Sequence, residues 1–194
     1  LLFNRDVALS IARPSASDEF FYRNASGDEI VFVTEGGGVL ESQFGELDVR
    51  AGDYVTVPRG IVHRWRLDAK SQPILLVIES RGHVRTPSRY RNEHGQLLEH
   101  SPFCERDIRP PSRLVPVDDR TETPVLVKQQ NALHEVVLEH HPFDTVGWDG
   151  YYYPWAVSIH DFEPLVGRIH QPPPVHQVFQ ADQFVVCAFV PRLY

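Results

Sequence analysis

Short apolar runs recur about every ten residues through the first 80 positions of this chain, with glycine or proline between most of them. They occupy residues 30–33, 39–44, 46–49, 54–57, 62–67 and 74–78, and Gly45 should be the turn between the second and third runs. Within 62–67 apolar and polar side chains alternate, which is the period of a half-buried strand. The chain also carries 12 glycines and 16 prolines, so turns should be frequent and long helices absent. The spacing therefore predicts an all-β sandwich or barrel.

The composition changes after residue 80. Residues 80–123 are rich in arginine, proline and acidic side chains and show little regular apolar pattern, which is typical of a linker or an extended excursion. We therefore divide the chain near residue 105. Residues 1–105 should form a near-complete small β domain. Residues 106–194 should contain the linker and the first strands of a second domain.

Strand-like sequence resumes in the second part. Residues 124–127 form a short apolar run, and 128–138 give the best helical periodicity in the chain while fitting a strand equally well. Residues 184–190 contain no charge and are the most β-prone stretch. We expect this stretch to form a buried strand that would aggregate if left unpaired.

Several classes of protein are excluded by composition. No run approaches the ~18 apolar residues of a transmembrane helix, and no secretory signal is visible. The 19 basic and 26 acidic side chains give a net charge of −7, which does not suit a nucleic-acid binder. Cys104 and Cys187 fit no zinc or disulfide spacing, so we expect a reduced, cytoplasmic setting. The chain contains no methionine and begins at Leu1, so we expect it to be a piece of a longer protein.

One motif has a clear spacing, G-x5-P-x-G-x2-H. It runs from Gly52 through Pro58 and Gly60 to His63. A turn, a strand and a tight bend would bring the histidine to the start of the next strand, facing inward. The motif resembles the second signature of the cupin superfamily, the double-sheet jelly roll. Leu67 stands where that signature often ends in asparagine.

The first cupin signature survives only in part. Glu29 and Gly36 occupy its last two places, but its two histidine places fall within residues 22–25, which are Tyr-Arg-Asn-Ala. Two of the four usual ligands therefore remain, Glu29 and His63. A stable transition-metal site needs three or more suitable protein ligands. We interpret residues 1–105 as a metal-free cupin.

Six of the ten histidines lie between His134 and His176, close to tyrosine and tryptophan. This pattern could serve proton transfer, metal binding or an aromatic ligand. It could equally be core or oligomer interface. His140 and His141 are adjacent, so on a strand they would point to opposite faces. His170 and His176 could converge across a proline run, but no third ligand lies at a convincing spacing.

Longer runs in the second part resemble homogentisate 1,2-dioxygenase, most closely its bacterial members. They are residues 140–150, 153–155, 160–164, 167–176 and 189–193. Members of this family are bicupins that use Fe(II) and O2 to open the ring of homogentisate, giving maleylacetoacetate in tyrosine and phenylalanine breakdown. The resemblance thus implies a small aromatic acid substrate and a trimeric or hexameric assembly.

The resemblance also implies where the chemistry lies. The family's iron ligands, two histidines and a glutamate, would fall beyond residue 194, so we assign no metal ligand in this chain. His170 matches the family's acid/base and substrate-orienting histidine. His160 and His176 receive no role. The alternative is an inactive structural or binding cupin module. A weaker reading makes His63, or His170 with His176, part of a new metal site in a stand-alone cupin such as an isomerase.

Overall fold

The computed structural model describes residues 1–114, 116–163 and 176–189. In this part of the chain fifteen strands alternate with short turns, and the helical segments are single 3-10 turns. The strands are β1 Leu2–Phe3, β2 Val7–Ala12, β3 Phe21–Asn24, β4 Asp28–Glu35, β5 Gly37–Ser42, β6 Gly45–Arg50, β7 Asp53–Val57, β8 His63–Leu67, β9 Ile74–Ser80, β10 Ile108–Arg109, β11 Thr123–Gln129, β12 Ala132–Leu138, β13 Trp155–Ser158, β14 Gln177–Gln180 and β15 Val185–Cys187. The all-β prediction is confirmed.

The strands form two large sheets and a small ribbon. The seven-stranded sheet has the order β1-β2-β9-β4-β7-β13-β10, and the six-stranded sheet has the order β12-β11-β3-β8-β5-β6. The ribbon consists of β14 and β15. All neighbours are antiparallel except β11, which runs parallel to β3. None of the described helical segments is long and apolar enough to cross a membrane.

Successive side chains of a strand point to opposite faces of its sheet, and this explains how the two core clusters are arranged. On β4, Val31 and Val33 belong to a core cluster with residues of both large sheets, so this cluster fills the space between the sheets. Ile30 belongs to a second cluster on the other face of the seven-stranded sheet. There it packs with Phe103 from the excursion and Phe179 from the ribbon. Because this sheet is covered on both faces, its central strands carry apolar side chains on both of them.

The six strands predicted between residues 30 and 78 are confirmed as β4 to β9. One boundary shifts: Gly45 was expected to be the turn, but the turn is Gln43–Phe44, and Gly45 begins β6. The predicted strand at 124–127 lies within β11.

Residues 128–138 form no helix. They finish β11, turn at Gln130 and Asn131, and continue as β12. Both turn residues have positive φ, 51° and 64°, as a two-residue hairpin requires. A turn with two positive φ values has the same handedness as the twist of the paired strands. The segment therefore forms a hairpin although its apolar residues also have a helical period.

The strands after residue 105 join the same two sheets as those before it. β11 pairs with β3, and β13 pairs with β7. The division predicted near residue 105 therefore does not coincide with a break between sheets.

Two contacts fasten the intervening segment to the first strands. Glu46 exchanges backbone hydrogen bonds with Ser112 and Arg113. The Arg109 guanidinium lies 2.5 Å from a carboxylate oxygen of the fully buried Asp53. The excursion after β9 is thus attached to the barrel at several points along its length.

The apolar stretch at 184–190 was expected to be a fully buried strand, and this is wrong for its described residues. Only Val185–Cys187 is strand, and Val185 and Phe189 are 52% and 80% exposed. Val186 and Ala188 face the core cluster instead. A two-stranded ribbon lying on a sheet has one covered face, so alternate side chains stay outside.

Candidate functional site

The remnant of the cupin signature assembles inside the first barrel. Tyr22 and Asn24 lie on β3, Glu29 lies on β4, and His63 begins β8. β3 and β8 pair at Tyr22 and His63, which brings the Tyr22 ring edge-on to the imidazole at 5.4 Å. The positions deduced from spacing along the chain therefore do meet in space.

Hydrogen bonds from two neighbours hold Glu29, which is 6% exposed. Its Oε1 atom accepts from the Tyr22 hydroxyl at 3.0 Å and from Asn24 Nδ2 at 2.9 Å. The Asn24 side chain is itself fixed, because its Oδ1 accepts the backbone N–H groups of Ser26 and Gly27. Tyr22 and Asn24, which lie within the span 22–25 where the cupin pattern has its histidines, are thus donors to the glutamate.

His63 is 1% exposed and tied to its own turn. Its Nδ1 atom lies 3.0 Å from the Ile61 carbonyl, so in the neutral ring Nδ1–H donates there. This bond fixes the ring orientation at the bend that the G-x5-P-x-G-x2-H motif predicted.

The network continues to two residues that sequence analysis missed. Asn24 Nδ2 also lies 3.4 Å from Glu79 Oε2, and Glu79 forms an ion pair with Lys128. Glu79 is the cross-strand partner of Glu29 on β9. No spacing along the chain marks Glu79 or Lys128, because they reach the site only through strand pairing.

Burial and the neighbouring carboxylates change the acidity of Tyr22. Burial is the largest factor, followed by the charge of Glu29 and the hydrogen bond to it, and together they raise the Tyr22 pKa far above its ordinary value of 10.0. The hydroxyl therefore stays protonated and donates to Glu29 across the physiological range.

The geometry does not suit an iron ion. Glu29 Oε1 already accepts two hydrogen bonds, and the described residues contain no group of three or more histidine, cysteine, aspartate or glutamate side chains that could hold a metal. The described cluster is a hydrogen-bonded polar core, and we derive no metal-dependent step from it.

The described histidines of the second part lie in separate surroundings. His134 is exposed on β12, and His160 lies over Gly52. The two adjacent histidines follow β12 rather than lying on it: His140 pairs with Asp144 at 3.3 Å, and His141 packs edge-on to Phe21 at 5.0 Å.

The surroundings of His141 and His176 are defined by the groups next to them. Burial is the main cause that lowers the pKa of His141, with the nearby Arg64 charge adding to it. The His176 ring lies 4.9 Å from that of Phe189. His170, the predicted acid/base residue, lies outside the described residues.

Comparison with known proteins gives a family match over most of the chain. Residues 6–159 match the family described as homogentisate 1,2-dioxygenase N-terminal. The matched region includes the Tyr22–Glu29–His63 cluster and strands β2 to β13. It also spans residue 105, and strands from both sides of this residue lie in the same two sheets.

Relatives with curated names share this similarity. A Saccharolobus solfataricus protein named "Putative dioxygenase" is 43% identical over the whole chain, which covers 50% of that protein. The homogentisate 1,2-dioxygenase of Nitrobacter hamburgensis is 31% identical over 84% of this chain and 36% of its own length. The chain thus spans half or less of these two relatives.

Among solved structures, the chain was compared with a cupin protein from Bacteroides fragilis. It matches 43% of this chain and 71% of its own, with a TM-score of 0.33 and 15% identity. The two sheets of the chain enclose a core, and Glu29 and His63 are buried. By sequence over residues 6–159, the chain belongs to the homogentisate 1,2-dioxygenase N-terminal family.

Proposed function

We propose that this chain is the amino-terminal part of a homogentisate 1,2-dioxygenase, an enzyme that uses Fe(II) and O2 to open the ring of homogentisate to maleylacetoacetate. The family match over residues 6–159 carries the proposal. The named homogentisate 1,2-dioxygenase of Nitrobacter hamburgensis and the dioxygenase name of the Saccharolobus relative support it. The reaction belongs to tyrosine and phenylalanine breakdown in the cytoplasm.

In this proposal the first barrel has a structural role. Tyr22 and Asn24, within the span 22–25 where the cupin pattern has histidines, both donate to Glu29. Iron would be held by residues that the family resemblance places beyond residue 194. His170 would take the proton of a ring hydroxyl and orient the substrate, since a neutral imidazole accepts protons near pH ~7. The assembly would be a trimer or hexamer.

The test uses the full-length protein that contains this chain. Oxygen uptake with homogentisate is measured together with iron content, for the wild type and for His170→Ala. We expect about one iron per chain in both, substrate-dependent uptake in the wild type, and a loss of ~10²-fold or more in the variant, the usual scale for an acid/base group. His140→Ala is the control, because its imidazole is half exposed and pairs only with Asp144 among the described residues.

Two results would contradict parts of this proposal. Unchanged ring cleavage in His170→Ala would remove that residue from the mechanism. Absence of both iron and uptake in the full-length protein would favour the second candidate, a structural or binding cupin module. The hydrogen bonds from Tyr22 and Asn24 to Glu29 support that candidate, because they give this carboxylate a structural role.

A further inference from the structure

A pocket of about 680 Å³ lies beside the polar network. It is bounded by the segment leading into β2, the end of β9 and the β11–β12 hairpin. Its volume is within the range of small-molecule sites, about 300–1,000 Å³. Asn24, Glu79 and Lys128 line it, so the network forms part of its wall.

The charges around the pocket are unequal. Three basic residues, Arg5, Arg81 and Lys128, line the pocket together with two acidic residues, Asp6 and Glu79. Glu79 is neutralised by Lys128 in an ion pair. Within the described ranges neither arginine has an ion-pair partner, so two unpaired guanidinium groups remain beside one free carboxylate. The pocket therefore favours an anion.

Backbone geometry brings the two arginines to neighbouring segments. The Arg81 N–H donates to the Asp6 carbonyl at 3.1 Å, and Val7 pairs with Ser80 in the sheet. Arg5 is thus one residue from the position opposite Arg81. Guanidinium groups bind carboxylates through paired N–H donors, which makes arginine the side chain best suited to such a ligand.

Part of the remaining wall is apolar. Phe3 and Val7 line the pocket on the same segment as Arg5. An occupant with one charged end and a hydrocarbon body would satisfy both kinds of wall, whereas inorganic phosphate would leave the apolar side in contact with water.

We propose that this pocket binds a small organic carboxylate, with its charged group between Arg5 and Arg81 and its hydrocarbon part against Phe3 and Val7. The site adjoins the polar network through Asn24, Glu79 and Lys128 and requires no metal. It does not rest on the proposed ring-cleaving activity.

Calorimetric titration of the 194-residue chain with phenylacetate tests the proposal, and phenylacetamide is the neutral compound of the same shape. We expect phenylacetate to bind at least tenfold more tightly than the amide. Arg81→Gln should weaken phenylacetate binding at least tenfold, and raising the salt concentration should weaken it further, because exposed charges are screened.

Arg13→Gln is the matched control, since Arg13 is exposed and does not line the pocket. Its binding should equal that of the wild type. Circular dichroism melting of each variant establishes that it is folded, and Arg5→Gln provides a second measurement if Arg81→Gln is not. Equal binding of the amide, no binding of phenylacetate, or equal loss in Arg13→Gln would each overturn the proposal.

Discussion

At the scale of single residues, Tyr22 and Asn24 decide the character of the first barrel. Within residues 22–25 the cupin pattern has metal-binding histidines, which act together with a glutamate at the place of Glu29. A phenol and an amide instead donate hydrogen bonds to the same carboxylate oxygen. A buried carboxylate needs such donors, because losing water without replacing its hydrogen bonds is costly. The positions could be found from sequence spacing, but the bonds depend on which strands pair.

Tyr22→Phe removes one of the two donors to Glu29 while keeping the ring. We expect the free energy of unfolding to fall by about 1–3 kcal/mol, the range for leaving a buried polar group partly unsatisfied. Urea unfolding at pH 7 measures it. Tyr151→Phe is the control, since that side chain is fully exposed, and it should change stability by less than about 0.5 kcal/mol. Equal effects of the two substitutions would contradict the role given to the Tyr22 hydroxyl.

The raised pKa of Tyr22 also predicts a dependence on pH. Above the ordinary tyrosine value of 10.0 the unfolded chain releases this proton while the folded chain keeps it, so stability falls as pH rises. The contribution is complete below pH 10 and shrinks by up to about 1.4 kcal/mol per pH unit above it.

Unfolding measured between pH 9 and 11 for wild type and Tyr22→Phe isolates this residue. Tyr54, Tyr90 and Tyr152 have raised pKa values too, and they contribute equally to both proteins. We expect a shallower decline in the variant. Parallel curves would show that Tyr22 titrates normally.

At the scale of elements, turns decide where strands begin and which later segments dock on them. Gly45 begins β6 with φ +113°, and a Cβ there would lie 2.4 Å from the Arg113 carbonyl oxygen. The glycine therefore permits both the backbone conformation and the close approach of the linker. Sequence analysis recognised it as a turn residue, but the contact with Arg113 spans 68 positions and leaves no local pattern.

Gly45→Ala should destabilise the chain by about 2–6 kcal/mol, since positive φ and overpacking each cost about 1–3 kcal/mol. Gly60→Ala is the matched comparison. Its φ is +83°, but nothing lies within 4 Å of the added Cβ, so only the conformational cost of about 1–3 kcal/mol applies. Chemical denaturation of both variants gives the difference. A Gly60 variant as unstable as the Gly45 variant would show that the linker contact contributes nothing.

At the scale of the whole molecule, the residues beyond 105 cover edges of the first strands. β11 covers β3 through a parallel pairing, and β13 covers β7. The ion pair between Arg109 and the buried Asp53 holds the connection between them. The composition of residues 80–123 differs from that of the first part, but a polar, proline-rich segment can be either a free linker or a strap across a barrel. Only its contacts separate these possibilities.

A chain shortened to residues 1–105 should therefore associate or aggregate. It would expose the backbone donors and acceptors of β3 and β7, and unpaired strand edges recruit other chains. Sizing chromatography and light scattering at increasing concentration measure this, with the 194-residue chain run alongside. A stable, monodisperse monomer of residues 1–105 would show that the first barrel is complete without the later strands.

The sequence by itself determined the features that depend on neighbouring positions. The alternation of apolar residues and the glycines and prolines between the runs specify short strands. The G-x5-P-x-G-x2-H spacing specifies the bend before His63. Both follow from the sequence because backbone sterics and the side-chain period act between neighbouring residues. The tertiary structure alone decided the parallel pairing of β11 with β3, the joining of Glu79 and Lys128 to the network, and the pocket beside Arg81. These features depend on which distant strands become neighbours, and that choice is made by the packing of the whole core.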